Sequence, residues 1–420
     1  MGILASIFGA SSSSAADQDP VYSWLTLPVF GGGRTTSGVH ITAYNAMAVP
    51  AVYSAIGIIS DALAQLPLTV LRRTERGSEE AREHPLYQVL KTRPNRRQNS
   101  FTFRKQVQSH VLGWGNGYAE IQRNGRGQTV GLWPLLPDRT QAELRDDGSG
   151  SVVVRTTIRN RQVELPQEDV VHIMGYSHDG VVGLSPIDLA RESIGLAKAT
   201  QEFGSRFFGA GGQSGGLLSL PPGASQDALR NVKKVFREQQ KFEESHLVKV
   251  LPDGVTYKET TIPPDNAQFL QTRGFQVEEI ARLYRVPLHM MQSHAKSTSW
   301  GSGLEQMFIA FIQTTLQPWL QPWEQELNWK LFTEEERAAG YYVKFNLAAL
   351  LRGDATARAA FYESAIHAGW MKRSEARELE DMNKIDGIDD QPVPDMRSPV
   401  IPLQRPEKPQ PAEDDEEDED

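Results

Sequence analysis

Apolar residues along the chain fall into two rhythms, one of helices and one of strands, and the change between them divides the sequence. From Tyr44 to Ala64 (YNAMAVPAVYSAIGIISDALA), Val52, Ile56, Ile59 and Leu63 recur at spacings of four, three and four, which predicts a helix. Pro50 is compatible with that helix only near its first turn. Leu66 to Arg72 alternates as a strand does, HPLYQVLKTRPN reads as a short helix stopped before Pro94, and Phe101 to Trp114 as an amphipathic one. From Gly117 to Ile173 the period is that of strands throughout, with Asn124-Gly125 and Asp147-Gly148 supplying hairpin turns. The first part of the chain is therefore an α+β module, one domain.

Helical spacing returns at Leu184 to Phe208, with Ser185 as N-cap and Pro186 at the first helical position. As one helix, Ser185 to Phe207 would reach about 35 Å at 1.5 Å per residue. GAGGQSGG then breaks it. LLSLP, a helix from Ser225 to Gln240, LVKVLPDG and VTYKETTI make a small strand–helix–strand–strand insert that ends at Pro263-Pro264-Asp265. A second helix runs from Ala267 to Tyr284 and stops before Val286-Pro287. His289 to Gly303 reads as polar loop, and Leu304 to Phe332 as a long helix that Pro318 and Pro322 must kink or break. Asp354 to Asn383 is a helical pair turned at Gly369. Beyond Gly387 the chain is proline-rich and acidic, a composition that predicts disorder.

Charge sharpens this division. The 420 residues carry a net charge of −9, but Glu413 to Asp420 are eight consecutive acids. Setting those eight aside leaves 45 acidic against 44 basic residues, a balance of −1. A tight nucleic-acid binder shows a basic footprint, and this chain has none overall. Any DNA it handles is not gripped. Cysteine is absent, which excludes disulfides, thiolate metal sites and cysteine nucleophiles together. No apolar run approaches the roughly 20 residues of a spanning helix, so no integral membrane protein is expected. The opening MGILASIFGASSSSAADQDP lacks a basic region before its apolar patch and reads as a flexible arm rather than a secretory signal. Gly2 with Ser6 matches the myristoylation pattern, without a polybasic second anchor.

Few motifs carry chemistry. Gly212-Gln213-Ser214-Gly215-Gly216 fits the G-x-S-x-G nucleophile elbow, but that elbow sits between strand and helix and here the order is reversed. Gly211, Gly212, Gly215 and Gly216 are better read as a helix stop and hinge. Ser293-His294-Ala295-Lys296 fits S-x-x-K, without the K-T-G and S-D-N partners of penicillin-recognising enzymes. The nine histidines do not pair at metal-ligand spacing; His172 with His178, and His289 with His294, lack a third ligand. No Walker A or G-x-G-x-x-G pattern occurs, so nucleotide-driven work would belong to a partner. Trp319, Trp323 and Trp329, with Phe308, Phe311 and Phe332, read as packing rather than a cofactor box. No catalytic residue, metal or cofactor is expected; the rivals are a serine hydrolase using Ser214 or Ser293 and a membrane-associated scaffold lipidated at Gly2.

The order of parts resembles the portal proteins of tailed bacteriophages and prophages, of the siphovirus type. The carrying stretches are YNAMAVPAVYSAIGIISDALAQLPL, GLSPIDLARESIGLA, VKVLPDGVTYKETTIPPDNAQFLQTRGFQVEEIARLYRVPLHMM and GSGLEQMFIAFIQTTLQPWLQPWEQEL. The resemblance implies a portal-type fold: an N-terminal arm over 1–40, a wing over 41–183 resumed at 304–350, and stem helices at 184–208 and 266–288. It further implies a clip at 209–265, a tunnel loop at 289–303, a helical crown at 351–386 and an acidic tail at 387–420. It makes Gln292, Ser293, His294, Lys296, Ser297, Thr298, Ser299 and Trp300 the loop facing DNA in the channel. It implies a homo-oligomeric ring, a dodecamer, at the capsid vertex of a virion, assembled in the host bacterial cytoplasm with no membrane. The partners it implies are the large terminase subunit, a head-completion or adaptor protein, the major capsid and scaffold proteins, and double-stranded DNA passing without sequence preference. Head-to-tail contacts that close make such a ring, and a near-neutral chain suits a conduit, because basic contacts would raise DNA affinity through counterion release.

Overall fold

The computed structural model describes residues 34–75, 77–145, 147–209, 216–220, 225–238, 255–259, 266–291, 302–347 and 355–380, with 382, 383, 385 and 387. Contacts divide the chain into two units, Met1–Asn346 and Leu347–Asp420.

The helix expected over Tyr44 to Ala64 is two, α1 (Ala43–Ala46) and α2 (Pro50–Gln65). Proline has no N–H to give and its ring crowds the preceding turn, so Pro50 opens α2 rather than sitting inside a longer helix. Thr42 and Asn45 close α1 with a reciprocal capping box. Val52, Ile56, Ile59 and Leu63 are buried as their spacing requires. Next come β1 (Leu68–Thr74), β2 (Gly77–Glu80), α3 (Pro85–Lys91) and α4 (Ser100–Trp114).

Six strands follow: β3 (Asn116–Arg123), β4 (Thr129–Leu135), β5 (Thr140–Leu144), β6 (Val152–Ile158), β7 (Arg161–Pro166) and β8 (Val170–Met174). They form two antiparallel sheets, ordered β4-β3-β8 and β5-β6-β7. The turn joining β6 to β7 is Arg159-Asn160, both at positive φ, where no glycine signalled it.

The long helix expected from Ser185 is bent. Ser185 caps α5 (Pro186–Leu189), and after Ala190 the chain continues as α6 (Arg191–Gly209). Bonds from Ala190 N to Pro186 O and from Ile194 N to Ala190 O carry the ladder across the bend. The straight part is 19 residues, about 28 Å rather than 35 Å. The insert contributes β9 (Gly216–Ser219), α7 (Gln226–Glu238) and β10 (Thr256–Glu259), with β9 and β10 antiparallel; LVKVLPDG lies outside the described residues. Then α8 (Asn266–Tyr284) returns, and a 3-10 turn occupies Leu288–Met291, where a loop was expected from His289. Its Met290 and Met291 pack on the core, which removes them from any polar loop.

The proline-containing helix is continuous, not broken. It runs as α9 (Ser302–Phe311), a π turn at Ile312–Leu316 and α10 (Gln317–Lys330). The wider turn stands immediately before Pro318, where the regular ladder must lose a bond. Two elements the sequence pattern did not reveal follow: α11 (Glu334–Ala338), closed by a Thr333–Glu336 capping box, and β11 (Tyr341–Phe345). β11 pairs antiparallel with β1, Leu68 opposite Phe345 and Val70 opposite Val343, giving a sheet ordered β11-β1-β2.

The main core gathers α2, Leu112 of α4, Ile187 of α5, Ile194 of α6, Ile280 and Tyr284 of α8, and Phe311. Tyr118, Leu135, Ala142, Val154 and Val170 form a smaller one between the two β3–β8 sheets. Gly115 ends α4 at φ +80, and a side chain there or at Gly183 would strike the backbone of the other segment, so close is their approach. In the second unit α12 (Ala355–His367) and α13 (Arg373–Leu379) turn at Gly369, φ +75, as expected.

Candidate functional site

The segment expected to carry function, Gln292 to Trp300 with Lys296, lies outside the described residues, as do Ser214, Gly211, Gly212 and Gly215; its supports are described. Gly216 opens β9 opposite Glu259. On one side of the segment, α6 and α8 pack together. Ser193 Oγ donates to Glu279 Oε2 at 3.0 Å, and the buried Gln276 gives Nε2 to Thr200 Oγ1 at 3.3 Å. Ile194 and Ala197 meet Ile280 in the core. The outward side is different. Leu196 and Phe203 of α6, seven residues apart, are 49% and 46% exposed, with Phe203 stacked on Phe207 at 6.1 Å; Leu189 of α5, before the bend at Ala190, is 57% exposed. Leu270 and Phe275 stand exposed on α8. Apolar side chains at heptad spacing form the kind of stripe by which one helix packs on another. That signal was present in the sequence as L-x6-L-x6-F and was missed because the inward face has the same residue types.

Beyond α8 the chain reverses at Arg285, a non-glycine residue at φ +56, while Val286 N bonds Ala281 O at 2.9 Å. Tyr284 OH donates to Leu112 O at 3.2 Å, and burial raises its pKa. On the returning side the π turn aims Thr315 at this reversal: its Oγ1 donates to Arg285 O at 2.6 Å. The two ends of the excursion that contains 292–301 therefore meet at one hydrogen bond.

Downstream, α10 holds two sheets by their edges. Asn328 exchanges two bonds with Val343 of edge strand β11 (Oδ1 accepting from N at 2.7 Å, Nδ2 donating to O at 3.0 Å), and Glu324 Oε1 accepts from Phe345 N at 2.8 Å. On edge strand β8, Glu326 Oε1 accepts from His172 N at 2.9 Å and Lys330 Nζ donates to Val170 O at 2.6 Å, while Lys330 and Glu326 pair at 2.5 Å. Side chains thus do for both edges what further strands would do. Trp323, fully buried, bonds Gln108 of α4 at 2.9 Å. Phe311 and Phe332 are buried as well, so packing is the role of most of that aromatic group, but Trp329, read as packing, is 58% exposed because its side of α10 faces water.

The perturbed groups are structural. Burial, helped by the charge of Lys330, lowers His172 to about 3, and its Nε2 meets Asn116 Oδ1 at 3.0 Å. Burial lowers His110 to about 4. Burial also lowers Arg104 to about 10; its guanidinium donates to Ala64 O and Leu66 O at the C-terminal end of α2, and to Leu90 O and Ser100 Oγ. Among the described residues no three His, Asp or Glu side chains are grouped to hold a metal ion, and no helix is long and apolar enough to cross a membrane.

A solved chain from the neck of a native gene transfer agent particle, refined with C12 symmetry, superposes with a TM-score of 0.52 at 19% identity, over 87% of this chain and all of that one. An HK97-family phage portal protein from Corynebacterium diphtheriae superposes with a TM-score of 0.56 at 18% identity, covering 77% of this chain and 99% of that one. In sequence, the probable portal protein of Streptomyces phage phiC31 is 32% identical over 401 residues, 92% of this chain and 87% of the relative. The portal protein of Enterobacteria phage HK97 is 30% identical over 344 residues, 81% of this chain and 80% of the relative. The phage portal protein model itself matches residues 50–381, from the first residue of α2 to just past α13. This chain belongs to the phage portal protein family.

Proposed function

We propose that the chain is a portal subunit, whose copies close into a ring at one capsid vertex and leave a channel through which DNA enters and leaves the particle. The observation that carries this is the match across residues 50–381, which takes in both packed helices, the insert between them and the long returning helix. The exposed Leu196 and Phe203 of α6 support it, since a head-to-tail neighbour would cover them and a ring covers them on every copy. In this reading residues 41–183 and 304–350 are wing, 184–208 and 266–288 stem, 209–265 clip, 289–303 tunnel loop and 351–386 crown. Twelve copies is the number favoured by the C12 neck that the chain resembles in fold. The clip is the docking face for the large terminase and head-completion proteins, the capsid and scaffold proteins surround the wing, and the ring forms in the host cytoplasm before entering the virion. The chain supplies no catalysis in this reading; its named relatives are portal proteins rather than hydrolases.

Negative-stain microscopy of the purified protein tests it. Closed rings with a central pore are expected, and a strictly monomeric species at micromolar concentration under several salt conditions overturns it. For the loop, one Lys296 per copy gives a circle of charges that brushes phosphates without reading bases. Lys296→Glu should leave rings intact and shorten the packaged genome; unchanged length and yield would remove Lys296 from the account.

A further inference from the structure

An open cleft of about 880 Å³ lies between β5 and the segment from Asp179 to Asp188, with Trp114 and Asn116 at its end. Its lining alternates apolar groups (Trp114, Leu144, Val181) with polar ones able to meet a backbone (Asn116, Arg139, Asp179). Around it large apolar side chains stand in water. Tyr44, 61% exposed, packs edge-on against Trp114 and gives its hydroxyl to cleft-lining Asp138 at 2.9 Å. Tyr176 is 68% exposed, and its carbonyl accepts from Leu184 N between two lining residues. Leu144 and Leu189, the latter next to lining Asp188, are exposed too.

The described chain begins at the edge of this region. Thr36 is held by Glu192, its N bonding Oε2 at 3.0 Å and its Oγ1 donating at 2.5 Å. Glu192 stands one helical turn beyond Asp188. Immediately upstream are Gly31-Gly32-Gly33, and before them Val21–Phe30 (VYSWLTLPVF), in which seven of ten residues are apolar. Burying each large side chain of so apolar a segment is favourable by about 1.5–3 kcal/mol. The six residues from Phe30 to Thr36 span at most about 20 Å at about 3.3 Å each, and Thr36 bonds Glu192, four residues from cleft-lining Asp188, so the segment has the length to reach the cleft of its own copy.

We infer that this cleft is the seat of the chain's own residues 21–30, bound extended, with apolar side chains against Trp114, Val181 and Leu144 and backbone groups meeting the polar lining. The inference is independent of ring formation. Its test uses the full-length chain with a benzophenone amino acid in place of Trp24, light and nitrogen-15-labelled copies being mixed as unassembled subunits. On irradiation, cross-links should land in residues 137–144 or 179–189 and join light to light and heavy to heavy. Cross-links between light and heavy copies, or landing elsewhere, overturn it. A second readout keeps the native aromatic: Trp24→Ser together with Phe30→Ser should speed hydrogen exchange of Thr140–Leu144 amides by tenfold or more, and unchanged exchange overturns the seat as well.

Discussion

The surface of α10 and the outward surface of α6 were made by the same kind of sequence, and the chain treats them in opposite ways. Along α10 nearly every demand is met inside one copy, the 58% exposed Trp329 excepted. Glu324 and Asn328 answer β11, Glu326 and Lys330 answer β8, and Trp323 fills the space against α4. Along α6 the inner side is likewise closed, yet Leu196 and Phe203 remain about half exposed. One surface is closed by the chain's own side chains and the other keeps apolar groups exposed. Substitutions in the first should therefore change stability, and in the second should change association and little else.

The largest expected break of that contrast is Trp323→Ala, which empties a fully buried site and strips Gln108 of its partner. It should cost about 3–5 kcal/mol in denaturant unfolding of the subunit. Lys330→Ala comes next: Glu326 is left buried without its cation, for about 3 kcal/mol, and Lys330→Met combined with Glu326→Leu should cost less than the single change. A result in which the double change is the worse would show that the pair does more than seal β8.

Acid should act on the same closed region. The buried His172 and His110 titrate near 3 and 4 in the folded chain, against about 6.5 when unfolded. Between those values the unfolded chain binds more protons, so stability is full above about pH 6.5 and falls as pH drops toward 4. Melting curves from pH 7 to pH 4 should show that slope, and His172→Gln should flatten part of it. The smallest effect on stability, within about 0.5 kcal/mol as for an exposed site, is expected for Leu196→Glu. That same change should abolish rings in the microscope; rings that persist would mean the exposed Leu196 and Phe203 are not at an interface.

Much of this fold is legible along the chain because it rests on local periodicity. The stripe of α2, the Ser185-Pro186 start and the Gly369 turn all sit where spacing and capping place them. What is not legible is settled at a distance. β11 exists because β1, some 270 residues earlier, offers an edge. The bend at Ala190 has no proline or glycine to announce it, and Arg159-Asn160 turns a hairpin with residues that usually do not. For the site, the resemblance points to the stretch around Lys296, which lies outside the described residues, while the exposed apolar residues of α6 were hidden by the equally apolar face behind them. Helical period reveals that two faces are apolar but not which one the chain itself will cover.

The bond from Thr315 Oγ1 to Arg285 O has a consequence for how this family can vary in length. It ties together the two flanks of the stretch of chain that contains Lys296. Once two flanks are tied, lengthening what lies between them is cheap: the entropic cost grows only with the logarithm of length, about 0.6 kcal/mol per doubling. Insertions between the two flanks can therefore accumulate without loosening α8 or α10. The length of chain between the flanks and the stability of the flanks are separate inheritances, open to selection one at a time.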